Sequence, residues 1–153
     1  MVDRLTSRHR SWNMSRIRSK DTGPELAVRS ALHRLGYRFR LHKADLPGRP
    51  DIVLPRHRIV ILVHGCFWHR HRNCQYSYTP RSRVSFWEQK FRDTVARDRS
   101  TRRQLHKAGW SILTIWECQA RPDTLTGFLS SSLARLKRPR VAGRRRARES
   151  PRN

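Results

Sequence analysis

Two short apolar runs, residues 52–54 and 59–63, lie near the middle of the chain, separated by Pro55-Arg56-His57-Arg58. Runs this short and this rich in Ile and Val predict strands. Joined through residues 55–58, they make a hairpin in which Leu54 faces Ile59 and Asp51 faces Leu62. Upstream, Val28, Ala31, Leu32 and Leu35 recur at the spacing of one helix face. Asp21-Thr22-Gly23-Pro24-Glu25 opens that helix, with Thr22 or Asp21 as the cap, and Gly36 closes it. Tyr37 to Leu41 alternates like a half-buried strand. Gly48 and its neighbouring prolines turn the chain into Asp51. Downstream, a long helical pattern runs from Ser85 to Lys107, unbroken or interrupted midway, with Phe86, Phe91, Val95 and Leu105 inward. Gly109 ends it. Trp110 to Trp116 reads as a strand, and Asp123 caps a last helix bearing Leu125, Phe128, Leu129, Leu133 and Leu136. Helix, three strands, helix, strand, helix predicts an α/β domain: a central mixed sheet flanked by helices.

The pattern stops at both ends. Residues 1–20 are polar and basic, with Trp12, Met14 and Ile17 as the large apolar side chains after Leu5, and read as a mobile arm. Beyond residue 136 the chain carries eight Lys or Arg and one Glu, which predicts a disordered basic tail over 137–153. Residues 21–136 remain as one domain, long enough to bury a core. Charge then changes the picture. Lys and Arg number 35 against 11 Asp and Glu, a formal net charge of +24. That balance points to a polyanion, above all nucleic acid. Composition alone favours a basic ribosomal or chromatin-type protein without chemistry of its own. No apolar run approaches the roughly 18 residues of a membrane span. The N-terminus lacks the apolar core of a signal peptide, so a cytoplasmic protein is expected; a monomer is expected as well.

The candidate chemistry is concentrated after the hairpin, in His64-Gly65-Cys66-Phe67-Trp68-His69-Arg70-His71-Arg72-Asn73-Cys74. In the predicted register Asp51 and His64 share a sheet face as diagonal neighbours, roughly 7–8 Å apart at Cα. A one-residue slip would separate them. Such a pair suits phosphodiester hydrolysis. A carboxylate holds Mg²⁺, and an imidazole accepts a proton from water near neutral pH. His69 can act on the same phosphate. The alternative is an Asp in a turn and a histidine at a strand end. Among the other acids, Asp21 and Asp123 read as caps, and Asp45, Glu88, Asp93, Asp98 and Glu117 have no neighbouring motif. Cys66, His71, Cys74 and the distant Cys118 form a Cys₃His set, the kind that closes a structural zinc site. The alternative is reduced cysteines in a core beside a solvated His71. The remaining histidines, His42 among them, read as surface residues.

Several strings occur in a fixed order: Asn13-Met14, Asp21-Thr22 with Glu25, Leu46-Pro47-Gly48-Arg49-Pro50-Asp51, His64-Gly65-Cys66-Phe67-Trp68-His69, Phe86-Trp87, Arg97-Asp98-Arg99, Gly109-Trp110 and Trp116-Glu117-Cys118. On these the chain resembles the very-short-patch-repair (Vsr) endonucleases, T:G mismatch nicking enzymes, over about residues 7–120. The resemblance implies a restriction-endonuclease-like fold with a variant active site. It implies that Asp51 and the Val63 carbonyl bind Mg²⁺, while His64, His69 and Glu25 act on the phosphate and metal-bound waters. Zinc would sit on Cys66, His71, Cys74 and Cys118. The implied substrate is double-stranded DNA with a T opposite G, left by deamination of 5-methylcytosine and nicked 5′ to that T. A repair polymerase would then replace a short patch. The implied functional partners are a DNA cytosine-5 methyltransferase and mismatch-repair proteins. Two features depart from the family pattern: Val63 stands where Thr is common, and one extra residue lies between His71 and Cys74.

Phe67 and Trp68 lie between a zinc ligand and a catalytic histidine. Two adjacent large aromatics in so polar a stretch suit a wedge between base pairs, the alternative being core packing. Met14 and Ile17 on the arm would enter from the minor groove. Lys90 and Thr94, one helical turn apart, are candidates to face the mismatch. A mismatched pair is easier to unstack, and that difference is read as specificity.

Overall fold

The computed structural model describes Thr6, Arg8 and residues 19–137. The basic tail after Lys137 and most of the arm, with Met14 and Ile17, lie outside the described residues. The elements are α1 (Gly23–Arg34), β1 (Arg40–Leu41), β2 (Ile52–Leu54), β3 (Ile59–His64), α2 (Val84–Lys107), β4 (Ser111–Trp116) and α3 (Leu125–Lys137), with short 3₁₀ turns at Pro55–His57 and Glu117–Gln119. No helix among the described residues is long and apolar enough to cross a membrane.

The sheet order is β1-β2-β3-β4. The first three strands are antiparallel, and β4 joins β3 in parallel. The hairpin register is the expected one: Leu54 pairs with Ile59 and Ile52 with Ile61. Arg58, in the left-handed region at φ 51°, closes the 3₁₀ turn and feeds β3. Because α2 carries the chain from β3 to β4, those strands run in the same direction and their C-terminal ends coincide.

Alternation along the strands divides the core. One face presents Ile52, Leu54, Ile59, Ile61 and Ile115 to α1 and α3, through Val28, Leu32, Leu129 and Leu133. The other presents Val53 and Val60 to α2 through Leu105. Each fully buried Leu or Ile contributes about 1.5–3 kcal/mol. Asp51, Leu62 and His64 fall on the α2 face by the period of two.

One open alternative is decided and two local expectations change. Helix α2 is continuous over 24 residues. Phe86 is 43% exposed rather than inward, because Phe91 and Leu105 carry the contact with the sheet. The strand expected from Tyr37 shortens to Arg40–Leu41, since Tyr37 and Phe39 pack against the α1/α3 core before the pairing begins.

Candidate active site and metal centre

The parallel register of β3 and β4 builds a Cys/His cluster. His64 pairs with Trp116, the last residue of each strand. Two residues further on, the chains reach Cys66 and Cys118, so the thiols meet although 51 residues separate them along the chain. The Cys66 amide donates to Glu117 Oε2 at 3.3 Å, fastening the two strand ends together. A turn with Arg70 and Asn73 in the left-handed region then brings back His71 and Cys74. The four ligand atoms of Cys66, His71, Cys74 and Cys118 lie within 4.8 Å of one another. His71 Nδ1 is 3.6 Å from Cys66 Sγ and 3.3 Å from Cys118 Sγ. A tetrahedral ion with bonds of about 2.0–2.3 Å needs ligand separations of roughly this size. Burial pushes the Cys66 thiol up to about 12 and raises Cys118 as well. Such buried thiols become thiolates when a soft cation takes the place of their protons. The donor set therefore fits a thiolate-binding ion.

Trp116 joins this cluster to the histidine pair His64 and His69. His71 stacks on it, with centroids 4.2 Å apart and planes at 9°. On the other side His64 meets it edge-on at 5.4 Å. His64 is 8% exposed and stacks face to face on His69, centroids 3.9 Å apart. Burial, with the adjacent His69 and Arg102 charges, pushes His64 down to about 4. It is therefore neutral at pH 7, and the stacked pair avoids two facing imidazolium charges. His69 Nδ1 lies 2.7 Å from Asp98 Oδ2. An N–H donated there fixes the tautomer and turns Nε2 away from the helix.

Asp51 sits where β2 begins, and its Oδ2 accepts the Val63 N–H at 2.7 Å. Burial raises its pKa against that hydrogen bond, and the negative charge of Glu25 adds to the rise. Folding thus brings Glu25 close enough for its charge to act on Asp51. Glu25 is buried at 3% exposure. Both its oxygens are engaged: Oε1 accepts from Thr22 Oγ1, and Oε2 accepts from the Asp21 amide and Arg29 Nη2, each at 3.1 Å. Thr22, not Asp21, caps α1. Asp21 instead accepts from Arg29 Nη1 at 2.6 Å. A carboxylate made costly to ionise by burial and by a second acid gains most from a divalent cation. A carboxylate such as Asp51 and a backbone carbonyl are hard oxygen donors of the kind that hold a divalent cation.

A cleft of about 380 Å³ opens beside these residues, lined by His64, His69, Val95, Asp98, Arg99, Arg102, Thr114 and Trp116. Sequence reasoning set Asp98 and His42 aside. Asp98 reaches His69 from α2, and the Arg97-Asp98-Arg99 string was its only signal. His42 Nε2 lies 3.7 Å from Glu25 Oε2 and 3.1 Å from Arg29 Nη2, so it belongs to the acidic side of the site. Nothing local in the chain marks it.

Phe67 and Trp68 are half-buried. Phe67 meets Trp68, Tyr78, Trp87 and Phe91 at centroid distances of 5.1–5.5 Å. Arg70 stacks over Phe91 at 4.2 Å. The pair thus belongs to an aromatic layer between the metal loop and α2. Lys90 lies 5.9 Å over the Phe86 ring, and the Thr94 hydroxyl donates to the Lys90 carbonyl at 3.0 Å.

Residues 2–76 match the family model described as DNA mismatch endonuclease Vsr. The chain is 49% identical over 119 residues to the type II nicking enzyme V.XorIIP of Xanthomonas oryzae pv. oryzae, covering 78% of this chain and 87% of that relative. It is 42% identical over 121 residues to the DNA mismatch endonuclease Vsr of Escherichia coli, covering 79% and 77%. The type II nicking enzyme V.NmeAIP of Neisseria meningitidis is 37% identical over 121 residues, covering 79% and 86%. By these matches, on a fold that gathers two histidines and two carboxylates beside a cationic cleft, the chain belongs to the Vsr family of DNA mismatch endonucleases and is a DNA endonuclease.

Proposed function

We propose that this endonuclease nicks one strand of double-stranded DNA 5′ to the T of a T:G mismatch left by 5-methylcytosine deamination, and so starts very short patch repair. The observation that carries the reading is the pairing of His69 with Asp98 of α2 beside neutral His64, at the end of β3, and half-buried Asp51, at the start of β2. On this restriction-endonuclease-like frame Asp51 and the Val63 carbonyl would hold Mg²⁺, which supplies Lewis-acid neutralisation of the phosphate charge. The rest of the chemistry belongs to the chain. His69 Nε2 takes the proton of the attacking water, and Asp98 stabilises the imidazolium that forms. A bond forms from the water oxygen to phosphorus, and the bond to the sugar oxygen breaks, its electron pair leaving on that oxygen, which takes a proton from solvent water. Neutral His64 holds a phosphate oxygen without competing for that proton. Glu25, fixed by Thr22 and Arg29, sets the negative field beside Asp51.

Zn²⁺ on Cys66, His71, Cys74 and Cys118 would brace the β3 and β4 ends and so fix the histidines. Phe67 and Trp68 would enter the base stack, exchanging ring contacts within the protein for stacking on bases. Met14 and Ile17 would approach from the other groove. The protein acts as a monomer in the cytoplasm, downstream of a cytosine-5 methyltransferase and alongside mismatch-repair proteins. A second reading is nicking at another target, favoured by the relatives named type II nicking enzymes. Paired duplexes, T:G and C:G in otherwise identical sequence with Mg²⁺, separate the two. Cutting confined to the T strand of T:G supports mismatch repair, and equal cutting of both duplexes refutes it.

A further inference from the structure

Val95, Asp98, Arg99 and Arg102 of α2 line the cleft. Their spacing is that of one helix face. The stripe is apolar at both ends, where Phe91 and Leu105 are buried. Arg99 is exposed, but Asp98 and Arg102 are half-buried, and charge held there costs desolvation and calls for a reason. Asp98 has His69. Arg102 has Thr114: Nη1 donates to the threonine Oγ1 at 2.6 Å. Thr114 stands on β4 opposite Leu62, two residues before Trp116, the partner of His64. The guanidinium is thus pinned to the cleft wall one alternation away from His64, close enough for its charge to act on that imidazole.

A purely structural role explains this poorly. An apolar pair at 102 and 114 would continue the α2 face without burying polar groups, and replacements of that kind are often neutral or stabilising. Arginine has five N–H donors, and Thr114 takes one. Among the described residues no other partner holds the rest. The stripe therefore keeps a permanent, oriented cation with spare donors beside the two histidines.

We propose that Arg102, aimed by Thr114, is a phosphate-binding residue of the reaction and grips the non-bridging oxygens of the phosphodiester being hydrolysed. A planar guanidinium matches two such oxygens and stays charged at every working pH. Its hold tightens as charge builds on those oxygens at the transition state. The proposal rests on the cleft being the hydrolytic site, but not on which duplex is preferred.

The test uses the full chain with Mg²⁺ on whichever duplex the wild-type protein nicks best. Arg102→Met and Arg102→Gln are compared with wild type in single-turnover nicking, thermal unfolding and binding. Binding is measured on duplexes carrying one neutral methylphosphonate at each position in turn. The expected result is nicking reduced about 10-fold to 10³-fold, with the unfolding midpoint of Arg102→Met held or raised. The methylphosphonate at the cut position weakens wild-type binding and leaves both variants indifferent, while penalties elsewhere persist. Thr114→Val, which frees the guanidinium, falls between. Nicking within about twofold of wild type in either variant overturns the proposal. So does a methylphosphonate map unchanged from wild type, or loss of the fold in both variants, which would make Arg102 a framework residue. A wild-type protein that prefers a duplex other than T:G refutes the mismatch reading alone.

Discussion

Asp98→Asn isolates the group that, in the proposed mechanism, makes His69 a base. The carboxylate lies 2.7 Å from His69 Nδ1, and the two side chains are 22% and 26% exposed. A charge-assisted hydrogen bond in such a setting contributes about 1.5–3 kcal/mol. That interaction is strongest once His69 is protonated, at the transition state. Its loss therefore lowers kcat by roughly 10- to 150-fold at 1.36 kcal/mol per decade and leaves KM nearly unchanged. Asparagine also adds a wrong instruction. Its amide can donate to Nδ1, forcing the proton onto Nε2, where a base must be bare. Asp98→Asn should therefore be slower than Asp98→Ala, although asparagine is the closer isostere. Single-turnover nicking at saturating enzyme reads the chemical step directly. Wild-type rates in Asp98→Asn, or an alanine variant slower than the asparagine one, would refute this role for the pair.

Other consequences follow from the same residues. His64 is pushed down to about 4 from 6.5, mainly by burial. Between those values the unfolded chain binds a proton that the folded chain refuses. Stability should fall as pH drops through that window, by on the order of 3 kcal/mol, and His64→Asn should flatten this limb in denaturant titrations. Metal analysis should find one zinc per chain. Cys118→Ser should lose it with a lowered unfolding midpoint, and full metal retention would remove the site. Phe67→Ala with Trp68→Ala should reduce the preference for mismatched over matched duplex, and an unchanged preference excludes the wedge.

What the sequence disclosed was local pattern and what local pattern implies. Short Ile/Val runs and a four-residue connection set the hairpin, so Leu54 against Ile59 was legible. The spacing of Cys66, His71 and Cys74 left Cys118 as the remaining cysteine, and the equal two-residue offsets from His64 and Trp116 explain why it arrives. The rest depends on contacts that no window contains. Asp98 reaches its histidine across 29 residues. Arg102 meets Thr114 only because α2 crosses the sheet face opposite α1. His42 looks like a loop histidine until Arg29 and Glu25 fold against it. Phe86 lies about 140° round α2 from Phe91 at roughly 100° per residue, so the helical period itself turns it away from the face on which Phe91 and Leu105 are buried.

The central claim is that Asp51, His64 and His69 form the hydrolytic centre. Nicking and binding of a T:G duplex, measured side by side with Mg²⁺ for wild type and Asp51→Ala, test it most directly. The account predicts a single cut 5′ to the mismatched T by wild type, and binding without cutting by Asp51→Ala. Cutting by Asp51→Ala at the wild-type rate would contradict it.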